Sequence, residues 1–215
     1  MRFASTLMLI VGFALSVFSP TAGAAEQDLS LNARLLLAAR NGDAAGVERA
    51  MKAGASVNAR NRLGETVLVI ALKRGDVVMA KAMIEAGADV NQGAVNGVTP
   101  LMAAAYGGYD EIAGMLIAKG ANVGATDRLL KNAMIYAAGN GSTGVVKILL
   151  ANGVEPNAIY ANDLTALMWA AGFGKTETVK TLLGAGARTD LKDNRGKTAL
   201  DMAREGKFEE TAKLL

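Results

Sequence analysis

The residue types that most enzymes use for nucleophilic and metal chemistry are missing from this sequence. Its 215 residues include no histidine and no cysteine. Serine–histidine and cysteine–histidine nucleophile pairs, and the common zinc sites, all need one of these two side chains. The composition therefore excludes these classes of catalytic and metal site. It also excludes disulfide bonds.

Paired acids and one glycine-rich segment are the remaining candidates for chemistry. Asp110-Glu111 and Glu209-Glu210 are adjacent in sequence, and adjacent residues of a helix do not face each other as an acid and base couple would. The segment 139–141, Gly-Asn-Gly, lacks the Lys-Ser/Thr of a phosphate-binding loop. We interpret the acids as solvent-exposed helix faces, and we expect no enzymatic activity, no cofactor and no metal ion.

The elements that would position any site recur every 33 residues. Glycine occupies one column of this repeat at Gly54, Gly87, Gly120, Gly153 and Gly186. Alanine occupies a second column six times, and leucine or methionine occupies a third. A fixed period of this length is typical of a solenoid, in which each unit buries its apolar face against its neighbours. We count about six units between residues 29 and 215.

One period contains the signals for two helices. Thr99 is a good N-cap and Pro100 suits the first helical position, so a helix is predicted to begin here and to end at Gly108. A second helix is predicted over about 109–119, because its apolar residues fall at helical spacing. Gly120 is predicted to end it in a left-handed conformation. Each unit is therefore a turn, two helices and a return loop.

The last unit departs from the period by one residue. The glycines that end the first helices keep a 33-residue step as far as Gly174, but the next glycine in the series is Gly206, one residue early. This spacing predicts a single deletion in the final unit.

The sequence resembles the ankyrin repeat over about residues 29–215. Residues 97–101 read Gly-Val-Thr-Pro-Leu, and residues 86–91 read Ala-Gly-Ala-Asp-Val-Asn. Both match the family pattern. The resemblance implies an all-α repeat solenoid of about six 33-residue units, with helix pairs stacked in a curved array and β-turn fingers projecting to one side. It also implies a protein-binding scaffold without a catalytic site of its own.

The usual histidine of the family pattern is absent from every unit. Its column holds Val69, Met102, Ile135, Met168 and Asp201. The hydrogen bonds that this histidine makes between neighbouring turns are therefore lost. We expect apolar packing to replace them at the first four positions.

The N-terminal segment has the order of a secretory signal peptide. Arg2 precedes an apolar run of 12 residues, 7–18, and small residues follow at 22–24. A membrane anchor is the alternative, but a spanning helix needs about 20 apolar residues. We predict a Sec-type signal over residues 1–24, a short linker over 25–28 and a repeat domain over 29–215. The mature protein is then expected in the bacterial periplasm, without a membrane anchor. A secreted effector that binds a host protein is the alternative.

The concave face of the stack is the predicted binding surface. Residues just before the helix-ending glycines, and those in the turns, should line it. The predicted partner-binding residues are Arg40, Arg60, Arg62, Lys73, Arg74, Tyr106, Asn140 and Phe173. The alternative is that the basic residues only aid solubility and the aromatic residues fill gaps between units. We predict that Tyr136 and Trp169 pack in the core.

An unidentified protein is the predicted partner, and a periplasmic enzyme is one candidate. The formal net charge of +3 is too small to indicate nucleic-acid binding by itself. We expect the protein to be a monomer.

Overall fold

The computed structural model of the protein describes residues 30–215. Within that range it has twelve α-helices in six successive pairs and no β-strand. The predicted signal peptide and linker lie outside the described residues. The helices are α1 (Leu31–Asn41), α2 (Ala44–Lys52), α3 (Val67–Arg74), α4 (Val77–Glu85), α5 (Pro100–Gly107), α6 (Asp110–Ala118), α7 (Ala133–Asn140), α8 (Thr143–Ala151), α9 (Ala166–Gly172), α10 (Thr176–Gly184), α11 (Ala199–Glu205) and α12 (Glu209–Ala212).

Local signals set the helix ends as the sequence predicts. The hydroxyl of Thr99 accepts the backbone N–H of Met102, which satisfies one of the free donors at the start of α5. Pro100 is the first residue of that helix, and Gly108 follows its end with φ 69°. Gly120, beyond α6, has φ 86°. These observations confirm the predicted unit of two helices, each followed by a left-handed residue.

The final unit keeps the period, so the predicted deletion is wrong. Lys207 stands 33 residues after Gly174 and adopts the same left-handed conformation, with φ 59° against 63°. Gly206 has φ −75° and is an ordinary helix-end residue. Lysine reaches this conformation at a cost of about 1–2 kcal/mol, because its Cβ approaches the following carbonyl. The position therefore requires the left-handed backbone conformation, and a residue other than glycine can adopt it.

The core runs along the whole stack. Most of the leucine or methionine column and all of the alanine column are buried between successive first helices. Val69, Met102, Ile135 and Met168 are also buried, which confirms that apolar packing occupies the column of the missing histidine. The fifth member, Asp201, instead accepts the backbone N–H of Thr198 at 2.9 Å.

Asparagine side chains clamp successive return loops together. The Oδ1 atom of Asn91 accepts the N–H of Asn122 at 2.8 Å, and its Nδ2 atom donates to the carbonyl of Gly120 at 2.9 Å. Two units later, Asn157 makes the same two bonds: its Oδ1 atom accepts the N–H of Arg188, and its Nδ2 atom donates to the carbonyl of Gly186. Asn58 makes the first of them, to the N–H of Asp89 at 2.8 Å.

Backbone hydrogen bonds also join neighbouring fingers. The fingers are the turns at residues 61–65, 94–98, 127–131, 160–164 and 193–197. Val95 donates to the carbonyl of Leu63 at 2.8 Å, and Arg128 donates to that of Asn96 at 3.0 Å. Asn194 donates to Asn162 at 3.1 Å. Each bond couples a unit to its neighbour on the side away from the second helices.

One boundary lacks both kinds of bond within residues 30–215. We call it the seam: it separates the return loop and finger at 119–132 from those at 152–165. Gly124 stands where Asn91 and Asn157 provide clamps, and glycine has no side chain to do so. The finger after the seam forms a 3-10 turn at Ala161–Asp163, and no backbone bond joins it to the finger before the seam. Within residues 30–215, the two sides are joined there by helix packing, by a hydrogen bond of 2.8 Å between the hydroxyls of Thr143 and Thr178, and by the contact of Lys131 with Trp169.

Replacing Gly124 by asparagine is expected to strengthen the seam. By analogy with Asn157, the new amide would accept the N–H of Glu155 and donate to the carbonyl of Gly153. Space is available, because the nearest neighbour of an added Cβ is an Asn122 oxygen at 3.5 Å. We expect the free energy of unfolding in urea to rise by about 1 kcal/mol relative to Gly124→Ala. The alanine variant controls for the loss of glycine flexibility, and equal midpoints for the two variants would contradict the clamp.

Candidate functional site

The first helices and the fingers together form the face predicted to be concave, which we call the inner face. Three adjoining hollows lie along it. The basic hollow has a volume of about 670 Å³, the tyrosine hollow about 340 Å³ and the aromatic hollow about 310 Å³. They follow the order of the chain from the first unit to the fifth.

The basic hollow gathers all five basic residues predicted from the sequence. These are Arg40, Arg60, Arg62, Lys73 and Arg74. All five are exposed at the surface. The structure therefore brings the predicted basic cluster together, although binding by these residues stays a prediction.

Three of the five basic side chains are held by neighbouring groups. Arg74 donates to the carbonyl of Arg40 at 2.6 Å, across one unit boundary. Arg60 donates to the carbonyls of Gly64 at 3.0 Å and Gly93 at 2.9 Å. Lys73 lies 2.6 Å from a carboxylate oxygen of Glu65. These three side chains hold fixed positions while keeping their positive charge.

The other two, Arg40 and Arg62, make no side-chain hydrogen bond or ion pair with another residue of the described part. Their guanidinium groups are therefore available to a ligand. Of the residues from 30 to 215 that line the hollow, Glu65 alone carries a carboxylate. Burial alone would raise the pKa of Glu65, but hydrogen bonds from Lys73 and Asn61 hold that pKa below its usual value. The carboxylate therefore stays ionised and offsets the charge of Lys73.

The tyrosine hollow lies between α3 and α5 and is mainly apolar. Val69, Leu72 and Met102 form much of its lining. Tyr106 is 61% exposed at its edge. Its ring meets that of Tyr136 edge to face, with 6.3 Å between centroids and an interplanar angle of 86°.

Asp127 connects the third finger to this tyrosine pair. Its carboxylate accepts the hydroxyl of Tyr136 at 2.6 Å and the backbone N–H groups of Leu129 and Lys131 at 2.8 and 2.9 Å. Burial, together with the bonded carboxylate, raises the pKa of Tyr136 to about 12. The phenol therefore stays protonated at neutral pH and acts as a donor that holds its ring in place.

The aromatic hollow lies across the seam, between α5, α7 and α9. Phe173 is 53% exposed and stacks on Trp169, with 5.7 Å between centroids and 9° between planes. The ammonium of Lys131 lies 4.9 Å from the centre of the Trp169 ring, in cation–π range. Asn140 donates to the carbonyl of Tyr106. Arg74 makes the equivalent bond to the carbonyl of Arg40 two unit boundaries earlier. Asn140 thus positions the helix end beside Tyr106.

Tyr136 and Trp169 pack against the core as predicted, but neither is fully buried. Both are half-buried and line the aromatic hollow. The sequence contained a signal for this position: Tyr136 lies four residues before Asn140, and Trp169 lies four before Phe173. Residues four apart share one face of a helix.

The acid pairs occupy exposed helix surface, as interpreted from the sequence. Asp110, Glu111, Glu209 and Glu210 are all exposed, and Glu111 pairs with Lys81 at 2.6 Å. Residues 30–215 contain no group of three or more acidic residues placed to hold a metal ion. None of the helices in the same range has both the length and the apolar character that crossing a bilayer requires.

Paired helices, left-handed glycines and hydrogen-bonded fingers define a helical repeat solenoid with an exposed aromatic and basic face. A family model described as ankyrin repeats in three copies matches residues 35–127 and again residues 132–215. The chain belongs to the ankyrin repeat family, which is generally a non-enzymatic protein–protein interaction module. No curated protein matches the chain.

Proposed function

We propose that the protein is a non-enzymatic scaffold that binds a partner protein through its inner face in the bacterial periplasm. The observation that carries the proposal is the exposure of Tyr106 and Phe173 on this face. Exposed aromatic residues on a rigid support are typical interface anchors, because they remove much apolar surface from water at a small cost in side-chain entropy. The proposal includes a monomeric scaffold, with a periplasmic enzyme as one candidate partner.

The surroundings of the two rings favour this use. Asn140 holds the helix end at Tyr106, and Trp169 supports Phe173 by stacking. A preformed surface loses less conformational entropy on binding than a mobile one. The periplasmic location is proposed from the N-terminal segment, whose charge, apolar run and small residues have the order of a signal peptide.

Truncating both anchors is expected to speed dissociation of the partner. The partner would first be captured from periplasmic extract with the immobilised protein and then purified. Tyr106→Ala combined with Phe173→Ala should raise the dissociation rate by at least about 30-fold, since one interface anchor contributes on the order of 2 kcal/mol. Surface plasmon resonance would measure both rates.

Val78→Ala is the matched control, because Val78 is 81% exposed and lies on α4, a second helix. The control should leave the dissociation rate unchanged. Faster dissociation of the partner from the Val78 variant than from the double variant would instead place the binding surface on the second helices.

The exported protein should begin at Ala25, as N-terminal sequencing would show. Material that still begins at Met1 would contradict the proposed processing.

A further inference from the structure

We infer that the inner face accepts an extended acidic segment of the partner, with aliphatic side chains that enter the tyrosine hollow. The inference rests on the proposed function and adds the chemistry and the direction of the bound segment. Its acidic end lies over the basic hollow, at the first two units. Its aliphatic end lies toward Tyr106 and the seam.

Charge is strongly segregated on this face. The three hollows are lined by seven basic side chains, namely Arg40, Arg60, Arg62, Lys73, Arg74, Lys131 and Lys175. Among the described residues that line them, Glu65 is the one with an acidic side chain. The whole chain has 23 basic and 20 acidic residues, so the rest of it has fewer basic than acidic residues. Such a field attracts an acidic ligand to this face.

The hollows are continuous. Glu65 and Lys73 line both the basic and the tyrosine hollow, and Tyr106 and Tyr136 line both the tyrosine and the aromatic hollow. A ligand can therefore contact all three without leaving the surface. A linear track of this kind suits an extended chain better than a globular protrusion.

The tyrosine hollow determines where the apolar part of the segment binds. Its walls are Val69, Leu72, Met102 and the tyrosine pair, and its volume of about 340 Å³ is at the low end for ligand pockets. A hollow of this size and lining is suited to one or two aliphatic side chains. The flanking Lys73 and Glu65 mark the change from the basic to the apolar part of the track.

Single-stranded nucleic acid also pairs acidic groups with apolar faces, but the aromatic rings here do not favour it. Base stacking needs open ring faces. The indole of Trp169 is already engaged by Phe173 and by the ammonium of Lys131. The rings of Tyr106 and Tyr136 meet each other, and the hydroxyl of Tyr136 is bonded to Asp127. An acidic polypeptide is therefore the better fit.

Labelled peptides test the inference directly by fluorescence anisotropy. The probe is Asp-Glu-Asp-Glu-Gly-Ser-Leu-Gly-Leu. Its controls are the analogue with lysines for the acids, the analogue with serines for the leucines, and oligothymidine. We expect the probe to bind best, with affinity that falls as salt is raised. The serine peptide should bind more weakly, and the lysine peptide should not bind.

Protein variants assign the probe to the track. Arg40→Ser with Arg62→Ser should lower the association rate by about tenfold, and neither side chain has a hydrogen-bond or ion-pair partner in the described part of the chain that the change would remove. Tyr106→Ser should mainly raise the dissociation rate. Lys119→Ser with Lys147→Ser is the matched control, since it removes two exposed charges away from the three hollows.

Three results would overturn the inference: equal binding of the acidic and lysine peptides, tighter binding of oligothymidine, or equal effects of the two charge variants. Its failure is separable from that of the proposed function. If no acidic probe binds but the captured partner still depends on Tyr106 and Phe173, the scaffold proposal stands and the acidic segment is wrong. If the captured partner depends on neither ring, the proposed binding face is wrong as well.

Discussion

Replacing Gly97 by alanine is expected to lower the free energy of unfolding by about 2–5 kcal/mol. Gly97 has φ 85°, a conformation that costs other residues about 1–2 kcal/mol. An added Cβ would also lie 2.9 Å from the Cα of Asp127 and 3.1 Å from the backbone nitrogen of Arg128. Those atoms belong to the next finger, so the methyl group would push two units apart, and overpacking of this kind costs about 1–3 kcal/mol.

Gly87→Ala separates the two contributions. Gly87 has φ 83°, yet nothing lies within 4 Å of its added Cβ. Only the backbone strain of about 1–2 kcal/mol should appear there. Urea unfolding followed by circular dichroism would compare the two variants. Equal midpoints would mean that the fingers are not in the close contact that the structure shows.

Replacing Asp127 by alanine is expected to lower the free energy of unfolding by about 2–3 kcal/mol. Asp127 is 6% exposed, and its carboxylate accepts three hydrogen bonds, from the hydroxyl of Tyr136 and from the N–H groups of Leu129 and Lys131. Its removal leaves these donors without a partner in a partly buried place. Bonds to charged groups contribute about 1.5–3 kcal/mol, and only part of that is regained from water.

Two milder variants divide this effect. Tyr136→Phe removes the hydroxyl bond alone, whereas Asp127→Asn keeps an oxygen for the two N–H groups of the finger. Both should cost less than Asp127→Ala. The fluorescence of Trp169, the single tryptophan, would report any change in the aromatic hollow. If Asp127→Ala is no less stable than Tyr136→Phe, the carboxylate does not organise the finger.

The limits of sequence reasoning are clearest in the final unit. A glycine was expected at its left-handed position, and the early glycine was therefore interpreted as a deletion. Lys207 adopts that conformation instead. Residue type indicates a preferred backbone conformation, but a modest strain energy can be offset by packing elsewhere in the stack.

Hydrogen-bond partners in a neighbouring unit could not be inferred from local residue patterns. Arg74 and Asn140 both bond to carbonyls 34 residues earlier, and Arg60 bonds to a carbonyl 33 residues later. Their positions in the repeat predict that they lie on the inner face. The distance between two units determines which basic side chains form hydrogen bonds across the boundary. A local sequence pattern does not specify that distance.

The sequence by itself determined the period, the helix pairs, their caps and the buried columns, because each depends on interactions within a few residues or on a strict repeat. Thr99, Gly108 and Gly120 illustrate this. The tertiary structure decided the exposure of Tyr136 and Trp169, the continuity of the three hollows and the seam beside Gly124. These properties arise from contacts between units, whose energies depend on the relative placement of atoms about 33 residues apart in the chain.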